Sequence, residues 1–186
     1  LTRAATRAFN VACKEVEGFE ADDIIATLAC RAREAGGDCT IISSDKDLMQ
    51  LVGGGVVMLD AMKNKVIDRD GVVEKFGVFP ERVVDVQALA GDSVDNVPGA
   101  PGIGIKTAAL LINEYGSLEE LLDRAGEIKQ PKRRESLMDN RPQIELSKQL
   151  VQLDCNMELD FSIEDLEVRD PDPKELMAFV AEMEFR

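Results

Sequence analysis

Apolar residues recur at helical spacing near the start of the chain, give way to short β-rich runs, and then return to helical spacing. Thr2 to Phe9 reads as the end of a helix and Lys14 to Val16 as a short strand. Ile24, Ile25, Leu28 and Ala29 mark one face of a helix that opens near Glu20 and stops at Gly36-Gly37. Cys39 to Ser43 is a β-rich run. Ser44-Asp45 then caps a short helix over Asp47 to Val52, which three glycines at 53 to 55 break. Val56 to Leu59 and Lys65 to Ile67 predict a hairpin turning near Lys63-Asn64. This alternation predicts an α/β layer with a mostly parallel sheet.

From about Asp70 to Leu153 the pattern is helical almost throughout. Gly71 to Phe76 is one helix, and Pro80-Glu81-Arg82 opens another that runs to Leu89-Ala90. Gly91 to Gly104 is a loop rich in Gly and Pro. Ile105, Ala108, Ala109, Ile112 and Tyr115 mark the core face of a helix ending at Gly116, and Ser117-Leu118-Glu119-Glu120 forms a capping box before the next. Further helices are expected over Arg133 to Met138 and Ile144 to Leu153, with a last one after Pro173.

The 186 residues suit one ordinary domain or two small ones. No apolar run approaches the roughly 18 residues of a membrane span. Lys and Arg total 22 against 36 Asp and Glu, a net charge of −14, which is not the balance of a protein that holds DNA by charge alone. The chain has no His, which excludes His-based triads, His-ligated zinc and His proton shuttling. Cys13, Cys30, Cys39 and Cys155 contain no Cys-x-x-Cys pair, so they are expected as small buried hydrophobes in a reducing cytosol. The absence of Trp and a single Tyr leave few platforms for base stacking.

Three acidic clusters change the picture. Glu20 and Asp23 share one face at a helix start, with Asp22 beside them, where the helix dipole alone also favours acids. Asp45 and Asp47 follow a hydrophobic strand, where α/β sheets place ligand sites, although Asp45 could simply be a cap. Asp92 and Asp95 lie in Gly91-Asp92-Ser93-Val94-Asp95-Asn96, which also reads as a turn with Asx bonds. Brought together, seven carboxylates would repel one another and raise some pKa values unless cations were present. Hard oxygen ligands without His or Cys select Mg²⁺ or Mn²⁺. Two such ions about 4 Å apart suit phosphodiester hydrolysis.

The segment Gly99-Ala100-Pro101-Gly102-Ile103-Gly104-Ile105-Lys106-Thr107 has another logic. Its glycines would let backbone N–H groups approach a phosphate at a helix start, with Lys106 and Thr107 able to hold it. An interhelical turn explains the same glycines, and the order is not that of a Walker A loop.

Glu20-Ala21-Asp22-Asp23-Ile24-Ile25, Ser44-Asp45-Lys46-Asp47-Leu48-Met49-Gln50-Leu51, Leu89 to Gly99 and Gly102 to Ala108 resemble, in order and spacing, the 5′-3′ exonuclease domain of bacterial DNA polymerase I. That domain is kin to phage 5′-nucleases and flap endonucleases. The resemblance implies a Rossmann-like (PIN-like) nuclease sheet over residues 1–78, then a helical DNA-binding domain with a helix-three-turn-helix over 79–186. It implies metal-site roles for Glu20, Asp22, Asp23, Asp45, Asp47, Asp92 and Asp95, with Glu20, Asp22, Asp45, Asp47 and Asp92 serving the reaction. It implies duplex contacts at Gly99, Gly102, Gly104, Lys106 and Thr107, often with K⁺ at this hairpin.

The implied activity is Mg²⁺- or Mn²⁺-dependent removal of RNA primers and 5′ flaps, or cutting at nicks, in the cytoplasm near the nucleoid. The implied setting is fusion to polymerase modules, with no membrane partner. The family's chain begins well before Leu1, with a first sheet strand carrying one metal-site Asp, another acid and a basic, aromatic helical arch. A fragment of this kind is expected to be weakly active or inactive, so a non-catalytic duplex-DNA-binding module stands as the alternative. A small α/β metal ribonuclease is a more distant one, because such proteins usually lack the helix-three-turn-helix.

Overall fold

A computed structural model describes residues 1–184; the last two residues of the expected 79–186 domain lie outside it. Helix α1 (Thr2–Ala8) leads through an irregular segment to α2 (Ala21–Glu34), then strand β1 (Cys39–Ile42), a 3₁₀ turn (Asp47–Leu51), β2 (Val56–Asp60) and β3 (Lys65–Ile67). The expected strand at Lys14 to Val16 does not form. Its residues are used otherwise: Glu15 pairs with Arg3 at 2.5 Å, and the Lys14 ammonium lies 4.6 Å above the Phe161 ring.

Among the described residues the sheet runs β1-β2-β3, parallel between β1 and β2 and antiparallel between β2 and β3. The antiparallel pair is the expected hairpin. Asn64 takes the left-handed φ of +48° that its turn needs, a conformation Asn tolerates better than most residues. Ala26, Ala29, Leu48, Val56 and Met58 fill the space between α2, the 3₁₀ turn and the sheet.

The remaining elements are helical: α3 (Arg69–Phe76), α4 (Val83–Ala90), α5 (Ile105–Tyr115), α6 (Leu118–Asp123), α7 (Pro131–Asp139), α8 (Arg141–Val151) and α9 (Pro173–Glu182). Ser117 accepts a hydrogen bond from the Glu120 N–H at 3.2 Å, so the capping-box serine acts as its pattern implies. A buried charge organises the bundle. Asp85 on α4, 3% exposed, meets the Lys148 ammonium of α8 at 2.8 Å and accepts from the Leu118 N–H at the start of α6. Removing Lys148 leaves the buried Asp85 carboxylate with only Arg82, 3.4 Å away, as a positive partner among the described residues, and the loss is at most about 3–5 kcal/mol.

The chain then returns to the sheet half. Thr27, fully buried on α2, donates to the Asp154 carbonyl at 2.9 Å and accepts from the Met157 N–H, and Arg31 donates to the Met157 carbonyl. Gln50 of the 3₁₀ turn donates to the Val151 carbonyl and accepts from the Leu153 N–H. The two acidic elements of the sheet half are thereby pinned to the end of α8. All four cysteines are free thiols; Cys30 is buried and the other three are half-buried. Burial and a hydrogen bond with Cys30 push the Cys155 thiol up to about 12, so it packs rather than reacts. Among the described residues no helix is long and apolar enough to cross a membrane.

Candidate active site

The three acidic clusters, distant in sequence, meet on one patch. Glu20 is the N-cap residue of α2, extended at φ −79° and ψ 153°, and Asp22 and Asp23 occupy the first helical turn. Asp45 and Asp47 follow the C-terminal end of β1. Asp92 follows α4, whose helix ends where Gly91 takes a φ of +69°.

Burial first, then the charges of Asp45, Glu20, Asp47 and Asp23, hold the Asp22 carboxyl above its usual range. The other end of the patch is neutralised. The Lys46 ammonium meets Asp92 directly, lies 3.2 Å from Asp47 Oδ1 and 3.9 Å from Asp95. Lys46 hydrogen-bonds Asp92, which holds that carboxyl below its usual range despite a side chain only 9% exposed. Burial works to lower the Lys46 pKa, but its bonds to Asp92 and the charge of Asp47 outweigh it and raise the net value.

The turn reading of Asp92 holds alongside this convergence, whereas Asp45 is not the cap of the 3₁₀ turn, which starts from Lys46 and has no side-chain cap bond. Asp45 Oδ1 accepts from the Asp47 N–H at 3.0 Å, just ahead of the 3₁₀ turn. Asp92 Oδ1 accepts from the Val94 N–H at 2.7 Å, an Asx bond within its turn. Asp23 Oδ1 accepts from the Asp154 N–H at 2.9 Å, so one of its two oxygens is engaged structurally. Among the described residues, no three carboxylates already converge tightly enough to hold one metal ion. The donors are nonetheless all hard oxygens. The repulsion at Asp22 and the gathering of Asp47, Asp92 and Asp95 on one ammonium fit a site that takes divalent cations. A cleft of about 650 Å³ opens beside Asp45 and Lys46, walled by Asp60, Lys63 and Lys65.

Two residues of this patch escape the sequence pattern. Lys46 reads as a spacer between two acids, yet a lone cation inside an acidic cluster is itself a signal. Gln87 donates its Nε2 to Asp47 Oδ1 at 2.5 Å. Its mark in the sequence is a polar side chain four residues after Val83, on the buried face of an apolar helix.

The glycine loop divides in two. Gly99 is buried, with its N–H donating to Ser147 at 3.0 Å and its carbonyl accepting from Gln143. A side chain there would come within 2.4 Å of the Gly91 nitrogen, so this glycine permits two backbones to cross and its N–H is spent inside the fold. Gly102 and Gly104 are exposed and face open space. The first bond of α5 runs from the Ala108 N–H to the Gly104 carbonyl. The N–H groups of Ile105, Lys106 and Thr107 therefore lack helical acceptors, at the positive end of the helix dipole. Lys106 is exposed and Thr107 half-buried beside them.

Known proteins resemble this chain in sequence and in fold. Residues 1–77 match the family described as 5′-3′ exonuclease, N-terminal resolvase-like domain, and residues 78–174 match 5′-3′ exonuclease, C-terminal SAM fold. DNA polymerase I of Rhizobium leguminosarum is 55% identical over all of this chain, which spans 18% of that protein. The 5′-3′ exonuclease of Aquifex aeolicus is 39% identical over 92% of this chain and 58% of its own length. The structure of T5 5′-exonuclease with bound divalent zinc superposes with a TM-score of 0.68 at 25% identity, covering 75% of this chain and 52% of that one. The fold of the present chain is thus a resolvase-like sheet domain followed by a SAM-like helical one. Matched across both halves, from residue 1 to residue 174, the chain belongs to the 5′-3′ exonuclease family.

Proposed function

We propose that this chain is the nuclease part of a longer protein and hydrolyses phosphodiester bonds of DNA at 5′ flaps, nicks or primer ends, with two Mg²⁺ or Mn²⁺ ions. The observation that carries this is the joining of all seven family acids into one patch: Asp22 feels Asp45, Glu20, Asp47 and Asp23, and Lys46 links Asp47 to Asp92 and Asp95. When bound, such ions supply hydroxide at neutral pH and positive charge for the attacking and leaving oxygens. Glu20, Asp22, Asp45, Asp47 and Asp92 would hold them. Asp95 and the free oxygen of Asp23 would support the second ion or its waters. Lys46 keeps the Asp92 end of the patch from repelling the phosphate backbone. The loop at Gly102 to Thr107 offers helix-start N–H groups and the Lys106 ammonium to a duplex phosphate some distance from the cut.

Asp45→Ala in the full-length protein lowers Mg²⁺-dependent cleavage of a flap substrate by about 100-fold or more, with an unchanged fold by circular dichroism. Wild-type rates in that variant refute the assignment. Lys106→Ala weakens duplex binding in EDTA uniformly across sequences and reduces the salt slope by about 1; an unchanged slope places Lys106 away from phosphate. A non-catalytic binding module is favoured only if duplex binding persists while Mg²⁺ and Mn²⁺ give no cleavage.

A further inference from the structure

Two polar side chains are buried on α4, and they are treated differently. Asp85 has both oxygens occupied, by Lys148 and by the Leu118 N–H. Gln87, 4% exposed, has only one end occupied. Its Nε2 donates to Asp47 Oδ1, while its buried Oε1 accepts from no described group. A buried amide oxygen without a donor keeps its full desolvation cost, so leucine would serve the core better. Packing therefore gives no reason for a glutamine here. The reason lies at the occupied end, which reaches from the helical half to the acidic turn after β1. Lys46 meets the same Oδ1, so both donors leave the other oxygen of Asp47 to a ligand.

We propose that Gln87 is a positioning residue for Asp47. It fixes which carboxylate oxygen faces an incoming cation, and its own Oε1 accepts from water carried in with that cation. The proposal rests on the acidic patch being a divalent-metal site. It adds that stability is given up at residue 87 for the sake of that site. Hydrogen-bonding partners of metal ligands are worth about 10–100-fold in metal affinity.

The test uses Gln87→Leu and Gln87→Glu in the full-length protein. Mn²⁺ binding is followed by electron paramagnetic resonance, and the thermal midpoint is measured in EDTA. In Gln87→Leu the metal-free midpoint stays level or rises by about 2–4 °C, because the unpaired oxygen is gone, while Mn²⁺ affinity falls about tenfold. A purely structural glutamine gives the reverse, a lower midpoint with unchanged Mn²⁺ affinity, and that result overturns the proposal. Gln87→Glu keeps the shape but sets a second negative charge against Asp47. Its metal-free midpoint falls, and Mn²⁺ raises it by more than in the unmodified protein. An equal Mn²⁺ response in both proteins also overturns the proposal. If the unmodified protein binds no Mn²⁺, the metal-site reading fails and takes this one with it. If it binds and Gln87→Leu binds equally well, only the role of Gln87 falls.

Discussion

Asp22 and Asp92 are the same residue type in the same patch, and their environments push them in opposite directions. Asp22 stands among four acids, and burial plus their charges hold its carboxyl high. Asp92 is half-buried too, with a side chain only 9% exposed, but it touches Lys46, and its carboxyl is held low. Burial alone would raise both. The difference teaches that the Asp92 end of the patch carries its own resident cation, Lys46, whereas the charges acting on Asp22 are all negative.

Lys46→Met should break that contrast with the largest effect. It leaves Asp47, Asp92 and Asp95 without a positive partner, which costs about 1–2 kcal/mol because the lysine is one-third exposed and partly screened. Calorimetry in EDTA would show a midpoint lower by several degrees, and Mg²⁺ would raise it by more than in wild type. An unchanged EDTA midpoint would mean that the ammonium neutralises nothing of consequence.

Asp22→Asn sharpens the contrast with a smaller effect of opposite sign. A raised folded pKa means that the native state binds the proton more tightly than the unfolded chain. The destabilisation from Asp22 is thus fully present above that raised value and vanishes below the unfolded value near 3.9. The variant should be about 1–2 °C more stable than wild type in EDTA at pH 7, a modest gain because the group is half-exposed, and equal to it below about pH 4. The lowered Asp92 behaves in the other sense. Its contribution is present above the unfolded value and lost as pH falls through the folded one. The acid limb of the stability profile should accordingly be shallower in Lys46→Met. Parallel limbs in the two proteins would separate Asp92 from Lys46.

Much of this was legible in the residue order. The acid spacings, the hairpin turn at Asn64 and the Ser117 cap are local patterns, set within a few residues, and each appears in the fold. The strand expected at Lys14 to Val16 needed a neighbour to pair with and found Phe161 and Arg3 instead. The Asp154 N–H on Asp23, the Gln87 amide on Asp47 and the Ser147 hydroxyl under Gly99 join residues 40 or more apart. No periodicity within one element encodes such meetings. The acids were therefore readable, and the groups that orient them were not.

The crossing of Gly91 and Gly99 has a consequence for where a strand would be cut. Gly91 precedes Asp92, Gly99 precedes the exposed turn at Gly102 to Gly104, and α8 holds Gly99 through Gln143 and Ser147. This packing joins the acidic turn at Asp92 to the start of the glycine loop through buried backbone. On the proposed reading, the fold is a ruler: the number of base pairs from the point where the duplex is held to the bond that breaks is set by this joint, and loosening it would blur the length of the product before it slowed the reaction.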